Sequence, residues 1–363
     1  MNFSTAEAVG RGHPDKLADQ ISDAIVDACL KVDPESKVEI SALLSKQKVV
    51  LAGEISTTAK VDYAKCARQV IHQVGYSSIW GYDPDSLEYI TAIAPQSKEI
   101  SQALIKGAGD SAIVYGMACS ETDGYMPLAQ KVAWDIMTKR EALRNEVDFL
   151  GPDGKCQIAI LNEKIKHIIF STQHKSSCTQ AELESLLKPK ILSCVPKNLL
   201  TDQTNLIINP SKQFVIGGPI ADTGATGRKI MADSYGAAFP SGGGAFSGKD
   251  PTKIDRSGAY AARLAAKHVV ASKLSTFCEI WIEFAIGVPT PVSFFLHTRG
   301  TGSLPDSTIT QAVLKTFDFS VDGIMRMLKL KNCIFSSTAW GGHFGNPQFS
   351  WEKLEYIEEL LAK

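Results

Sequence analysis

The chain has 363 residues, of which 38 are basic and 39 acidic, and its net charge is −1. This length allows two or three domains, each with its own core. The balanced charge argues against binding to nucleic acid or a membrane surface, since such proteins carry a basic excess. The hydrophobic fraction of 44% is ordinary for a globular protein, and no apolar run approaches the ~18 residues of a membrane span.

The eight cysteines are scattered along the chain without a C-x-x-C pair. This pattern favours reduced thiols over a disulfide or zinc framework. The N-terminal sequence MNFSTAEAVGRGHPDK lacks the basic and then apolar layout of a signal peptide. We therefore expect a cytoplasmic protein.

Apolar periodicity predicts the same order of elements three times: helix, strand, strand, helix, strand. The first copy comprises a helix at 15–31, strands at 38–45 and 48–57, a helix at 61–74 and a strand at 87–94. The second comprises a helix at 126–146, strands at 156–162 and 166–173, a helix at 179–192 and a strand at 204–209. A capping box from Thr179 to Glu182 supports the fourth of these helices.

The third copy is predicted as a helix at 255–272, strands at 278–287 and 291–300, a helix at 306–317 and a strand at 331–337. A final amphipathic helix is predicted at 351–363. The recurrence indicates an α+β or α/β fold built by triplication. A mixed chain without internal repeats is the alternative.

The most distinctive stretch is SGGGAFSGKDPTKIDRSGAY, residues 241–260, where three glycines precede interleaved lysines and aspartates. Free backbone N–H groups and a helix start favour phosphate, and the carboxylates suggest a divalent cation. Gly243 to Lys249 fit the Walker A pattern, but Asp250 replaces its hydroxyl, and the preceding AAFPSGG is no strand. The loop is therefore either a phosphate site of another kind or an ordinary glycine turn, and Asp250 would place a negative charge beside phosphates.

GHPDK combines an imidazole, a carboxylate and an ammonium at a helix start: His13, Asp15 and Lys16. His13 can donate to a phosphate oxygen or transfer a proton, whereas Asp15 alone is explained by the helix dipole. GPDGK, which ends at Lys155, is typical of a turn before a strand. In ADTGATGRK, Asp222 and two adjacent cations indicate either phosphate binding or a surface loop.

Three further positions stay open at this point. His174 and His343 are each more often structural than catalytic. Whether GGHFG is a loop where the backbone closely approaches another group is left open by the sequence. Glu54 follows an apolar run, so its carboxylate is either at a sheet rim or a partner for a cationic substrate group.

Together these stretches resemble the S-adenosylmethionine synthetase (methionine adenosyltransferase) family. The similar segments run in one order over nearly the whole chain: GHPDKLADQISD, LAGEIST, GAGD, ETDGYMP, STQH, INPSKQFVIGGPIADTGATGRK, GGGAFSGKDPTKIDRSGAYAAR, AIGV and GHFG. GGAFSGKD is among the most specific signatures of that family. Many segments in one order are stronger evidence than any single motif.

The resemblance implies three similar, intertwined α/β repeats around a pseudo-threefold axis, in agreement with the triplication. We place the corresponding domains at 1–95, 105–215 and 216–363. Members are usually homodimers or dimers of dimers with active sites between subunits. The implied substrates are ATP and L-methionine, whose sulfur attacks C5′ of ATP and displaces triphosphate. The triphosphate is then hydrolysed to phosphate and diphosphate.

The resemblance also implies roles for individual residues. The catalytic groups would be His13, Lys155, Arg228, Lys249 and Lys253. The ATP contacts would be His13, Asp153, Lys155, Gln213, Phe214, Asp222, Arg228, Lys229, Ala245, Lys249 and Ile286. The methionine contacts would be Glu54, Gln96, Asp222 and Lys253. Two Mg²⁺ ions would be held by Asp15 and Asp255, with phosphates completing the shell, and residues 96–106 would form a gate over the site.

The sequence departs from the family pattern at a few positions. Ser41 stands where members usually carry a glutamate that binds K⁺, so potassium activation is doubtful. Arg11, Ser111 and Ser241 replace other usual residues. None of these changes removes a predicted phosphate or magnesium group, so we expect an active enzyme. A non-catalytic paralogue that regulates an active synthetase and a P-loop-like ATPase or kinase are the alternatives.

Overall fold

The structure is a computed structural model that describes residues 3–97 and 107–362. Its helices are α1 (Pro14–Val32), α2 (Tyr63–Val74), α3 (Leu128–Leu143), α4 (Gln180–Leu192), α5 (Ile230–Asp233), α6 (Ile254–Ala271), α7 (Asp306–Thr316), α8 (Val321–Met327) and α9 (Ile357–Leu361). Its strands are β1 (Phe3–Val9), β2 (Lys37–Ser45), β3 (Lys48–Ser56), β4 (Glu88–Ala94), β5 (Ala112–Cys119), β6 (Leu150–Leu161), β7 (Lys164–His174), β8 (Asn205–Ile208), β9 (Gly224–Ala225), β10 (Phe277–Phe284) and β11 (Ser293–His297).

The strands form three sheets, with the orders β4-β3-β2-β9, β1-β6-β7-β8 and β11-β10-β5. Each sheet takes its core strands from one predicted repeat and one further strand from elsewhere in the chain. β1, which precedes the first repeat, pairs with β6 of the second, and β5 pairs with β10 of the third. β9, which precedes the third repeat, pairs with β2 of the first repeat. The predicted α+β fold of three similar, intertwined repeats is therefore confirmed.

One long helix of each repeat covers the inner face of the sheets. α1 packs on β2, α3 on β1 and β6, and α6 on β5 and β10. β2 shows the alternation that follows from the strand period of two, since Val38 and Ile40 are buried, whereas Glu39 and Ser41 point to the other face. This part of β2 therefore displays polar side chains on its outer face. No described helix has the length and apolarity needed to cross a bilayer.

The predicted strand at 331–337 is wrong, because this segment forms two single 3₁₀ turns, Leu330–Asn332 and Phe335–Ser337. The carboxylate of Asp27, on α1, accepts hydrogen bonds from the backbone N–H groups of Phe335 and Ser336 at 2.7 and 2.9 Å. These donors are therefore bound to a helix rather than to a neighbouring strand, and the third repeat lacks the last strand of the other two.

The predicted helix at 351–363 is also too long, since within residues 351–362 only Ile357–Leu361 is α-helical. Glu352 is buried against α6, where it accepts hydrogen bonds from Arg263 and Lys267. The Trp351 ring stacks on Tyr260 with ring centroids 3.8 Å apart. These contacts hold the start of the segment on the core and interrupt the helical spacing.

A buried ion pair joins the first and third repeats. Arg256, on α6, donates to both carboxylate oxygens of Asp23, on α1, at 2.8 and 2.7 Å. Both side chains are fully buried. The guanidinium also donates to the backbone oxygen of Lys249, and Asp23 accepts from the N–H of Gly248, both in the glycine-rich loop. The pair therefore fixes that loop between two core helices.

We predict that Asp23→Leu lowers the free energy of unfolding by about 3–5 kcal/mol, because it leaves the Arg256 charge buried and unpaired. The double variant Asp23→Leu/Arg256→Met is expected to lose less, since no isolated charge stays inside. Chemical denaturation followed by circular dichroism measures both values. A loss below about 1 kcal/mol for the single variant would contradict a structural role for the pair.

Candidate active site

Two of the predicted stretches, GRGH and GPDGK, lie side by side at the end of the β1–β6 ladder. Gly10 donates its N–H to the Gly154 oxygen at 2.8 Å, and Gly12 donates to Pro152 at 3.2 Å. The Gly12 backbone comes so close that an added Cβ would lie 2.4 Å from Pro152. The prediction that GPDGK is a turn is wrong, because it belongs to β6.

GPDGK is extended because a buried arginine binds its carbonyl groups. Arg140, on α3, donates to the backbone oxygens of Gly151, Pro152 and Asp153. The β6–β7 register shifts between Leu150 and Gly154, so these three residues bulge towards the guanidinium. Their carbonyls are thus satisfied without closing a turn.

Lys155 follows this bulge and reaches the outer face of the sheet. Its Nζ lies 2.6 Å from Oε2 of Glu7, on β1, which the sequence analysis missed. Burial alone would raise the pKa of Glu7, but the hydrogen bond and charge of Lys155 outweigh it and hold that pKa below its usual value. A cleft of about 420 Å³ opens beside Glu7 and is lined also by Gln157 and Met231.

Asp15, in the first turn of α1, contacts three residues of the ADTGATGRK loop. Its carboxylate accepts from Lys229 Nζ at 2.6 Å and from the N–H of Ala225 at 3.0 Å, and Nε of Arg228 lies 3.6 Å away. Burial would raise the pKa of Asp15, but the bonds from Lys229 and Ala225 outweigh it and lower the pKa. The carboxylate is therefore kept ionised beside two cations.

His13 is the N-cap residue of α1, and its Nδ1 accepts a hydrogen bond from the N–H of Asp15 at 3.2 Å. Burial, assisted by the charge of Lys229, lowers the pKa of His13 to about 4. The imidazole is therefore neutral at pH 7. Since Nδ1 is the acceptor, the proton is assigned to Nε2, which is a hydrogen-bond donor.

The GHPDK trio is divided between the site and the core. Lys16 is buried, and its Nζ binds Asp19 at 2.9 Å and Asp233 at 2.6 Å. Burial would lower the pKa of Lys16, but the charges of the two carboxylates outweigh it and raise the pKa. Lys16 therefore belongs to a buried ion-pair cluster, whereas His13 and Asp15 lie at the candidate site.

The glycine-rich loop lies along the edge of β2, next to the part of that edge that pairs with β9. Gly248 accepts a hydrogen bond from the N–H of Ile40 at 2.9 Å and has a φ of 83°, and an added Cβ there would lie 2.0 Å from the Ile40 oxygen. Asp250 is fully buried and accepts hydrogen bonds from the N–H groups of Val38 and Thr252. Its carboxylate is therefore enclosed by backbone N–H groups at the edge of the sheet. This placement differs from the expected one beside phosphates.

The loop also does not have the strand–loop–helix geometry of a Walker A motif. It is preceded by a 3₁₀ turn at Gly236–Ala238 rather than by a strand, and α6 begins only at Ile254. The P-loop alternative thus has no support in the fold.

The remaining predicted residues of the loop, Lys249, Lys253 and Asp255, form ion pairs. Lys249 binds Asp255, in the first turn of α6, and Lys253 Nζ lies 2.9 Å from Oε2 of Glu39, on β2. Glu39 was not predicted. A Cβ at Gly244 would lie 2.0 Å from the Asp255 carboxylate, so only glycine fits there.

The glycine loop contacts the loop that carries Arg228 and Lys229. A Cβ added at Gly227 would lie 2.5 Å from that of Ala245. The cations on the two loops are thus brought to one region of the molecule.

Asp153 is directed into the protein rather than to the surface. It is buried, and its Oδ2 accepts from the N–H of Gly218 at 2.8 Å. Burial raises its pKa to about 6. Gln213 and Asp222 are exposed, and Phe214 is half-buried.

His174 is structural. Its Nε2 accepts a hydrogen bond from the N–H of Phe214 at 3.2 Å, which anchors the backbone of Phe214.

His343 is also structural. It is fully buried, and its Nδ1 is bonded to the Tyr260 hydroxyl at 2.7 Å. Ile286 is exposed and follows β10, whereas Phe214 lies in the segment after β8.

Glu54 and Gln96 lie at the same end of two parallel strands. Glu54 is exposed near the end of β3, opposite Ala94 of β4. Gln96 follows β4, donates its N–H to the Ser56 hydroxyl, and has a buried Oε1 without a partner among the described residues. Most of the predicted gate at 96–106 lies outside the described residues.

Asp15 and Asp255 are suitable as magnesium ligands. Mg²⁺ is usually bound by one or two carboxylates together with substrate phosphates and water. Each of these aspartates already faces a lysine ammonium, so each position accepts positive charge. Within residues 3–97 and 107–362, no three His, Cys, Asp or Glu side chains form a metal cage, and a site that needs phosphate oxygens does not require one.

Comparison with known proteins decides the family. Family models for the N-terminal, central and C-terminal domains of S-adenosylmethionine synthetase match residues 1–98, 105–214 and 216–353. The chain belongs to the S-adenosylmethionine synthetase family. It is 43% identical over 380 aligned residues to the S-adenosylmethionine synthase of Treponema denticola, covering 99% of this chain and 98% of that protein. We therefore class it with the methionine adenosyltransferases.

We predict that the His13 imidazole in the free synthetase titrates with a midpoint near 4 instead of near 6.5. Because its folded pKa is lowered, the stability associated with neutral His13 is present above about pH 6.5 and is lost as the pH falls towards 4. NMR of the imidazole C2–H signals, assigned by their loss in His13→Gln, measures the midpoint. A midpoint near 6.5 would show that the ring is solvated.

Proposed function

We propose that the chain converts ATP, L-methionine and water into S-adenosylmethionine, phosphate and diphosphate. The observation that carries this proposal is that Lys155, Arg228, Lys229 and Lys249 each lie beside a carboxylate. The loop of Arg228 and Lys229 contacts the glycine loop at Ala245, and the segment before it contacts the GPDGK strand at Asp153. Such a group of cations matches a triphosphate.

The chemistry of the step explains why cations dominate the site. The sulfur of methionine is a neutral nucleophile that needs no general base, and its lone pair forms the new bond to C5′. The C5′–O bond breaks, and its electron pair leaves with a triphosphate carrying about four charges. Cations fixed where this charge develops are each worth roughly 3–4 kcal/mol, by analogy with single oxyanion-hole donors.

The ion pairs of the free site hold the ammonium groups in place before substrate binds. In the proposed complex, the triphosphate oxygens take over Lys155, Arg228, Lys229 and Lys249 from their carboxylate partners. Two Mg²⁺ ions, held by Asp15 and Asp255, would neutralise part of the triphosphate charge. Neutral His13 would donate its Nε2–H to an oxygen near the breaking bond.

The remaining predicted residues would recognise the two substrates. Phe214 and Ile286 would pack the adenine, with Asp153, Gln213 and Ala245 at the nucleotide and Asp222 touching substrate. Glu54, Gln96 and Lys253 would contact methionine. The Oε1 of Gln96, which has no partner among the described residues, and the exposed carboxylate of Glu54 suit an ammonium group. The domain division at 1–95, 105–215 and 216–363 belongs to the same proposal.

We also propose a homodimer or dimer of dimers with active sites between subunits. The outer face of the β11-β10-β5 sheet exposes a row of aromatic rings. Trp281 is 38% and Phe295 48% exposed, with ring centroids 5.1 Å apart. Exposed apolar patches of this kind mark protein interfaces. A cytoplasmic location agrees with eight cysteines that are all free.

The test is to mix the purified protein with ATP, methionine and Mg²⁺ and to quantify the sulfonium product, phosphate and diphosphate. We expect all three in equal amounts. Similar rates are expected with and without K⁺, because Ser41 cannot supply a charged ligand. ADP as the product would favour a kinase or ATPase. A folded protein without activity that co-purifies with another synthetase chain would favour the regulatory paralogue.

We predict that Lys249→Ala lowers turnover by roughly 10²–10³ while methionine binding survives, because a charge-stabilising donor is lost at the leaving group. Lys48→Ala is the matched control, since Lys48 also pairs with a carboxylate, that of Glu88, but is 59% exposed on the first sheet. Steady-state kinetics with each variant give both values. Unchanged turnover in Lys249→Ala would remove it from this role.

A further inference from the structure

We infer that Glu39 is a positioning residue for methionine binding. Its carboxylate holds the Lys253 ammonium at the place where Lys253 meets the carboxylate of the bound methionine. This inference rests on the function proposed above and goes beyond it, because Glu39 lies in none of the sequence segments that resemble the family. It concerns how one substrate is selected.

Glu39 is held firmly in front of Lys253. Its backbone is in β2 and forms an isolated antiparallel β-bridge with the backbone of Lys249 in the glycine-rich loop. Oε2 of Glu39 lies 2.9 Å from Lys253 Nζ, and Oε1 lies 3.8 Å from Lys249 Nζ. The loop and the strand are further tied by the N–H of Asp250, which donates to the Val38 oxygen at 2.9 Å.

Lys253 depends on this carboxylate. Its side chain is only 4% exposed, whereas that of Glu39 is 41% exposed. A buried ammonium requires a partner, since its desolvation is costly. Among the described residues, Glu39 provides the ion pair to Lys253. Removing this charge would free the lysine side chain to move while leaving the strand intact.

A second carboxylate stands directly across the strand pair. Glu39 and Glu54 are opposite each other in the β2–β3 register and therefore share the outer face. Like charges in that position repel each other. Lys253 compensates the charge of Glu39, whereas the Glu54 side chain has no hydrogen bond or ion pair within residues 3–97 and 107–362. A cation is therefore expected beside Glu54.

These groups together fit the two charges of an amino acid. Directly opposite residues have Cβ atoms about 4.5–5.5 Å apart, so one small zwitterion can reach both positions. Its ammonium would lie beside Glu54, and its carboxylate would lie beside Lys253. Glu39 would then aim Lys253 without itself contacting the substrate.

The test is Glu39→Gln, which keeps the size of the side chain and removes its charge. We expect the KM for methionine to rise roughly tenfold, which corresponds to about 1.4 kcal/mol, while kcat and the KM for ATP change by less than about twofold. Glu39→Asp should restore part of the loss. Glu88→Gln is the matched control, because Glu88 lies on β4 of the same sheet and pairs with Lys48 at 3.2 Å.

A second readout separates aiming from general support of the fold. Methionine amide lacks the carboxylate that Lys253 would bind, so Glu39→Gln should reduce the preference for methionine over its amide. If Glu39 only supported the fold, Glu39→Gln would weaken the binding of methionine and of methionine amide to the same extent. Thermal unfolding checks that Glu39→Gln is folded, and if it is not, Glu39→Asp supplies the comparison.

An unchanged methionine KM, or an equal loss for methionine and its amide, would overturn the inference and leave the proposed function in place. If the wild-type protein makes no S-adenosylmethionine, the proposed function fails, and the substrate named for Glu39 fails with it.

Discussion

The bidentate ion pair between Asp23 and Arg256 is the constraint on which the candidate site depends. It joins α1, whose first turn carries Asp15, to α6, whose first turn carries Asp255. The same two side chains bind the backbone of Gly248 and Lys249. A buried pair of this kind contributes little net stability, but it penalises every arrangement that separates its members. The relative position of the two helix starts and the glycine loop is therefore set by one interaction far from the surface.

Above this buried pair, the site consists of cations that are matched one by one with carboxylates. Lys155 pairs with Glu7, Lys229 with Asp15, Lys249 with Asp255 and Lys253 with Glu39. Uncompensated cations at such close spacing would repel each other and would be costly to desolvate. In the free protein, the carboxylates compensate the positive charges and keep the ammonium groups oriented. A bound polyanion can then exchange one set of negative partners for another without rebuilding the site.

Each functional motif is divided between site and core by the direction of its side chains. In GHPDK, His13 and Asp15 face the candidate site, whereas Lys16 is enclosed by Asp19 and Asp233. In GPDGK, Lys155 reaches the surface, and Asp153 binds the Gly218 N–H inside. In GKD, Asp250 completes the edge of β2 beside Lys249. Adjacent residues point to different sides of a strand or helix start, and the register shift before Gly154 breaks the regular alternation between Asp153 and Lys155. A motif that looks like one functional unit therefore serves two purposes.

The sequence by itself determined the repeated order of elements, the family and most of the polar groups that converge, because periodicity and local motifs are properties of neighbouring residues. Only the tertiary structure decided that β1, β5 and β9 are exchanged between sheets, that residues 331–337 are no strand, and that Glu7 and Glu39 face the predicted lysines. The two glutamates belong to no local motif, and their partners are more than a hundred residues away in the chain. Pairing at that distance depends on which strand edges meet, and that is settled by packing of the whole core.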